Sequence, residues 1–246
     1  MNAAPMVLML AGVSKRFGAV VAADSIDLSV AAGEAVGIIG ANGAGKSSLF
    51  NLVTGVLKPD AGTIMLDGRD ITHDSARHRC RAGIGRSFQI PRPFENLSVY
   101  ENLLAAATFG GGIAYRDAAD HCGAILARTG LLVRANTVAG QLRLLDRKRL
   151  ELARALASAP KVLLLDEIAG GLTEAEVAEL VQLIRELNAG GMTIVWIEHI
   201  VHALLSVVSR LVVLEFGRKI AEGEPHAVMA EPEVQRSYLG IEEPAA

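Results

Sequence analysis

A lysine and two serines close a glycine-rich turn in "GANGAGKSS", residues 40–48, and two acids end the apolar run "VLLLDE", residues 162–167. These are the residue types that handle phosphate. The first stretch fits G-x-x-x-x-G-K-[ST], in which glycines let the backbone curl so that successive N–H groups face inward on anionic oxygens. Gly40, Ala41, Asn42, Gly43, Ala44 and Gly45 are then the backbone cradle, with Lys46 reaching the terminal phosphates. The Ser47 hydroxyl is a Mg²⁺ ligand, and Ser48 completes the loop as a helix begins. That helix aims the positive end of its dipole at the same charge. Asp166, at the carboxyl end of a buried strand, can hold Mg²⁺ across the cleft, and Glu167 can orient or deprotonate a water. The adjacent acid separates hydrolases of this kind from many phosphotransferases.

These groups need a scaffold, and short apolar runs alternating with longer helical patterns predict an α/β protein with a mainly parallel sheet. Residues 7–11, 20–30 and 62–71 read as strands, as do "EAVGIIG", "KVLLLD", "MTIVWIE" and "RLVVLEFGRKIAEG". Helices are expected over "KSSLFNLVTGVL", over "EAEVAELVQLIRELNAGG", and through a region opened by Ser98 and Glu101, which have capping-box spacing. The last helix of that region is expected from about Asp146 to Ala159, ended by Pro160.

At 246 residues, with 51% hydrophobic and 21% charged side chains, the chain has the composition of one globular domain. A net charge of −3 gives no electrostatic case for nucleic acid. The basic cluster "RHRCRAGIGR", residues 77–86, reads as a solvated face or a contact for an acidic loop. Two cysteines, Cys80 and Cys122, make no disulfide framework, so the compartment reads as reducing. The mean hydropathy is positive, +0.34, yet "MVLMLAGV" is far shorter than the roughly 20 residues that span a bilayer.

With these motifs in order, the sequence resembles the ATP-binding subunits of ABC transporters. Gln89 in "GRSFQIPRPF" matches the glutamine loop, which links the metal site to a helical subdomain, and His199 in "VWIEHIVHAL" matches the switch histidine. Phe17 stands where such proteins stack an aromatic on adenine, and "GLT", residues 171–173, falls at the D-loop. The resemblance implies a P-loop NTPase (RecA-like) core with an antiparallel β subdomain and an inserted α-helical subdomain. Core and β subdomain take about 1–90 and 160–225, the helical subdomain about 91–159, and a helical tail about 226–246. It also implies catalytic roles for Lys46, Gln89, Glu167 and His199, with Ser47, Gln89 and Asp166 at the metal. "GRSFQIPRPFENLSVYENLL" and "PEVQRSYLG" are similar to ATPases of branched-chain amino acid importers. A peripheral protein on the cytoplasmic face of the membrane follows, working with permease subunits and, indirectly, a substrate-binding protein.

One stretch departs from the pattern. Where the family carries a signature close to L-S-G-G-Q, this chain has Leu142, Arg143, Leu144, Leu145 and Asp146. That signature contacts ATP bound to the opposite subunit. A leucine at 145 adds bulk where glycine lets backbone approach phosphate, and Asp146 adds repulsion. Arg143, Arg147 and Lys148 are candidates to compensate with positive charge. The competing reading is an ordinary amphipathic helix with Leu145, Leu152, Ala153 and Leu156 on its core face and Arg147, Lys148 and Glu151 in solvent. An altered signature is compatible with a heterodimer in which a second ATPase subunit contributes an intact one. It also raises the rival function of a nucleotide-gated regulatory module with weak catalysis, which the set Asp166, Glu167 and His199 opposes. A repair ATPase with long coiled coils and a P-loop kinase fit less well.

Overall fold

The computed structural model describes residues 4–239. The chain opens with two long strands, β1 (Met6–Phe17) and β2 (Val20–Ala31), then the short, wholly buried β3 (Ala35–Ile39) and helix α1 (Lys46–Val53). Next come β4 (Ala61–Leu66), β5 (Arg69–Asp70), α2 (Ala76–Ala82) and β6 (Ile84–Arg86). Helices α3 (Val99–Ala105), α4 (Tyr115–Arg128) and α5 (Leu144–Ala157) fill the middle, and no strand interrupts residues 91–159. The remainder alternates β7 (Val162–Asp166), α6 (Glu174–Ala189), β8 (Thr193–Ile197), α7 (Val201–Leu205), β9 (Arg210–Glu215) and β10 (Arg218–Gly223). Two short helices, α8 (Pro225–Met229) and α9 (Pro232–Val234), follow, and the expected tail beyond 239 lies outside the described residues.

The strands form two sheets. A six-stranded sheet runs β10-β9-β3-β8-β7-β6, parallel from β9 to β6, and a four-stranded antiparallel sheet runs β2-β1-β4-β5. Because side chains alternate along a strand, a sheet covered on both faces needs apolar residues at every position. On β7, Leu163 and Leu165 join a core made with α5 and α6, while Val162 and Leu164 join a second core with α1 and the antiparallel sheet. This double coverage explains why the central strands read as continuous apolar runs.

Several expected boundaries shift for local reasons. The strand expected over 62–71 is a tight hairpin, turning at Asp67 and Gly68 with φ of 49° and 73°. Asp-Gly is a favoured pair where both central residues need positive φ. The helix expected over "KSSLFNLVTGVL" stops at Val53, ahead of Gly55 with φ of 76°. The capping box at Ser98 and Glu101 forms as expected, and a second joins Thr173 to Glu176 at the start of α6.

The basic cluster over residues 77–86 is a solvated face only in part. Arg77 and Arg81 are exposed, but Arg79 is fully buried. Its guanidinium donates to the carbonyls of Leu52 (2.6 Å) and Val53 (3.0 Å) at the end of α1, and to those of Thr72 (2.7 Å) and Asp74 (3.1 Å). A helix end leaves its last carbonyls without intrahelical partners, and here one arginine supplies them from inside. Arg79→Met removes this donor from four carbonyls, three of them at buried contacts. We expect a loss of about 3 kcal/mol of unfolding free energy, read from the urea midpoint.

Candidate functional site

The phosphate-loop sequence sits between β3 and α1; Gly43 is favoured by its φ of 83° alone, whereas Gly40 and Gly45 are required by contact. A Cβ on Gly40 would meet the Leu214 carbonyl oxygen at 2.2 Å, and one on Gly45, with φ of 103°, the Ala22 carbonyl oxygen at 2.4 Å. Lys46 is 6% exposed and curls back, donating to the carbonyls of Gly40 (2.7 Å) and Ala41 (3.0 Å). Burial pushes its pKa below the usual lysine value, and the nearby Glu167 and Asp166 carboxylates pull it partway back. The loop opens into a cavity of about 250 Å³ that also takes in Ser47, Ser48, Glu167 and the ring of Phe17. Phe17 is half exposed at its mouth, with the Lys15 ammonium 5.6 Å from the ring centroid. The two halves of the chain expected to share a nucleotide thus line one cleft.

Topology explains the convergence. β3, β8, β7 and β6 are successive neighbours in the parallel sheet, and their carboxyl ends lead respectively to the glycine loop, His199, Asp166 with Glu167, and Gln89. Carboxyl ends of parallel strands are where α/β sheets gather ligand-binding groups. Glu167 lies at the centre. Gln89 Nε2 donates to its Oε2 at 2.6 Å, and His199 Nε2 pairs with its Oε1 at 2.8 Å. Its backbone N–H donates to the Ile197 carbonyl (2.8 Å), and its φ of 46° is left-handed. A non-glycine residue holds that conformation at a cost of about 1 kcal/mol or more, which the surrounding bonds must offset.

Asp166 is differently placed. Its carboxylate and the Arg86 guanidinium are each 8% exposed at the side chain, and Arg86 Nη2 lies 2.6 Å from Asp166 Oδ2. Among the described residues no cluster of three or more histidine, cysteine or acidic side chains could enclose a metal. The buried Asp166 carboxylate at one side of the cleft and the exposed Ser47 hydroxyl at the start of α1 make a sparse oxygen donor set. That suits Mg²⁺, which takes few protein ligands and fills its octahedron from water and phosphate. The amide of Gln89, expected at the metal, is engaged by Glu167 here.

Two acids and a lysine at this centre were not anticipated. Glu198 is 2% exposed and accepts from the N–H groups of Ala169 (3.2 Å), His199 (2.9 Å) and Ile200 (3.5 Å), and burial raises its pKa. It thereby ties the segment after Glu167 to the histidine loop. The sequence signal was its position directly before His199. Lys148 and Glu151, expected in solvent, are buried at 3% and 4%. Lys148 donates to the Gln89 carbonyl (2.6 Å), Glu151 accepts from the Arg92 N–H (3.3 Å), and Arg154 donates to the Arg92 carbonyl (2.8 Å). One stripe of α5 thus grips the glutamine segment along its length. Burial lowers the Lys148 pKa and raises that of Glu151.

The departed signature stretch starts this same helix. α5 begins at Leu144, two residues earlier than expected, with Arg143 as an N-cap that makes no side-chain cap bond. Leu144 is 42% exposed, whereas Leu142 is buried at 5%. Leu145 is half-buried, and the core face expected around Leu152, Ala153 and Leu156 is buried. Asp146 is turned inward, 8% exposed and paired with Arg134 at 3.0 Å. Arg147 donates to the carbonyls of Leu142 (2.9 Å) and Gly140 (2.6 Å). Of the three cations expected to compensate, Lys148 and Arg147 are therefore committed to carbonyls, and Arg143 alone stays exposed.

Comparison with known proteins agrees with this geometry. The ABC transporter family model matches residues 23–170, and that of the branched-chain amino acid ATP-binding cassette transporter matches residues 218–244. The high-affinity branched-chain amino acid transport ATP-binding protein LivG of Escherichia coli (strain K12) is 37% identical over 249 positions, covering 95% of this chain and 98% of the relative. A solved ATP-binding cassette of an ABC transporter in its ADP conformation superposes with a TM-score of 0.87 at 31% identity, over 96% of this chain and 99% of that one. A dimeric cassette in a post-hydrolysis state bound to ADP and Pi gives 0.76 at 27% identity, over 89% of this chain and 98% of that one. The chain belongs to the ATP-binding cassette family of ABC transporters, whose members hydrolyse ATP to drive transport.

Because Lys148 holds the backbone of Gln89, Lys148→Met frees the amide that fixes Glu167. The expected result is a loss of about ten- to a hundredfold in kcat with nucleotide affinity nearly unchanged. Steady-state ATPase rates beside equilibrium nucleotide binding check both halves.

Proposed function

We propose that this chain is the ATP-hydrolysing subunit of an importer for branched-chain amino acids or related small amphipathic solutes. The observation that carries the substrate class is the agreement of the full-length likeness to LivG with the separate family match at residues 218–244. No helix among the described residues is long and apolar enough to cross a membrane. In our reading the protein works peripherally on the cytoplasmic face, through permease subunits fed by a substrate-binding protein. The segment after Gln89, where Ile90 and Phe94 are 68% and 52% exposed, is the surface that transmits closure to the permease.

The glycine loop and Lys46 bind the triphosphate, and Phe17 offers its ring to the adenine. Ser47 and Asp166 would hold Mg²⁺, which neutralises phosphate charge and polarises the reacting phosphoryl group when bound. Glu167 takes a proton from the attacking water. Gln89 and His199 fix both of its oxygens at rest, so one must be released for the carboxylate to act. His199 is the group to turn toward the terminal phosphate. The exposed Arg143 and Leu144 at the start of α5 face the opposite subunit's nucleotide without the glycine that permits close backbone approach. We therefore assign the partner position to a second ATPase with an intact signature, giving one competent and one impaired site.

Lys46→Ala is expected to abolish tight ATP binding, and Glu167→Gln to keep binding while lowering turnover by at least about a hundredfold. Calorimetry and a coupled ATPase assay separate the two effects. Reconstitution with candidate permeases and a second ATPase in proteoliposomes tests the whole reading. Hydrolysis stimulated by a binding protein loaded with leucine, isoleucine or valine supports it. Rapid, cooperative hydrolysis by a homodimer of this chain would overturn the one-sided arrangement.

A further inference from the structure

Arg86 ends the basic cluster and stands near the start of the glutamine stretch without a role assigned in either, yet it is ion-paired with the buried aspartate. It leaves the end of β6 three residues ahead of Gln89. Its Nη2 meets Asp166 Oδ2 at 2.6 Å and its Nη1 meets Asn51 Oδ1 on α1 at 2.7 Å. The guanidinium carbon lies 4.9 Å from the centroid of the Phe88 ring and 5.6 Å from that of Phe50. Its Nε is buried without a partner. A guanidinium does not lose its proton in a protein, so this is a permanent positive charge held against Asp166.

We propose that Arg86 is an internal counter-ion to Asp166, a positioning residue that competes with the divalent cation for that carboxylate and so sets how much Mg²⁺ nucleotide binding requires. The inference rests on the assignment of Asp166 to the metal. A buried carboxylate needs a cation, because an unpaired one is heavily penalised. Arg86 supplies one from within the chain itself. The same charge then opposes a second cation brought to within a few ångströms. A metal held by Asp166 would weaken that carboxylate's hold on Arg86. Since Arg86 continues through Ser87 and Phe88 into Gln89, that release occurs on the segment that clamps Glu167. Two features distinguish this from an ordinary buried ion pair. Arg86 is anchored from α1, the helix that carries Ser47, and it uses only one oxygen of Asp166.

The experiment measures the Mg²⁺ concentration needed for half-maximal binding of a fluorescent ADP, by anisotropy, without any turnover. Arg86→Met should lower that midpoint on the order of tenfold, since the carboxylate no longer has a competing cation. Arg86→Lys, which keeps a charge, should stay near wild type. Asn51→Ala keeps the guanidinium but removes its second anchor, and should shift the midpoint the same way by less. It carries the test if the methionine variant does not fold. A midpoint that is unchanged or higher in Arg86→Met, or unchanged in Asn51→Ala where that variant is the one tested, overturns the proposal. Wild-type ADP binding with no Mg²⁺ dependence is a different result, which removes the metal assignment of Asp166 itself.

Discussion

Three carboxylates, those of Asp166, Glu167 and Glu198, gather at the ends of two adjacent strands, and the rest of the site is arranged to hold that negative charge in place. Each is answered in a different way. Asp166 has the guanidinium of Arg86. Glu167 has one neutral amide, from Gln89, and one imidazole, from His199. Glu198 is answered by backbone N–H groups of the two loops it joins. Lys46 and Lys148 lie close enough to these acids that the acids support their charge despite burial. Like charges at this spacing are tolerated only when cations and fixed dipoles surround them. On the function proposed above, a phosphate-bearing ligand would add negative charge to this cluster, which Lys46 and the backbone N–H groups of the glycine loop would answer.

The helix that begins at Leu144 has two ends of this system on one rigid body. Its first turn carries the stretch we read as an altered signature, and one turn further Lys148 holds the carbonyl of Gln89. Movement of the helix cannot leave Gln89 behind, because Glu151 and Arg154 grip Arg92 along the same stripe. The leucines at 144 and 145 therefore shape what the helix presents outward without loosening what it holds inward. The inward-turned Asp146, paired with Arg134, belongs to the same economy of contacts, since its charge supports the first turn of the helix from within.

The sequence by itself determined the phosphate loop, the acid pair, the order of the glutamine and histidine elements, and the alternation of apolar strands with helices. These are local or periodic properties. A glycine is needed wherever backbone crowds backbone, and a strand covered on both faces has to be apolar throughout. Ser98 and Glu101 were legible for the same reason, since a capping box is set by spacing alone. Tertiary structure alone decided which charges were buried. Arg79 and Arg86 read as part of a solvated face or an acidic-loop contact, and Glu151 as the wet side of a helix, because helical periodicity and charge runs describe a single element; Lys148 is open to that reading or to a compensating charge. The three cations find carbonyls and carboxylates at sequence separations from 5 to 80 residues, and Glu151 accepts from the Arg92 N–H, all supplied when β6 is laid beside β7 and the glutamine segment is laid on α5. A buried cation is stable only once such partners are assembled around it, and no pattern within one segment of chain specifies that assembly.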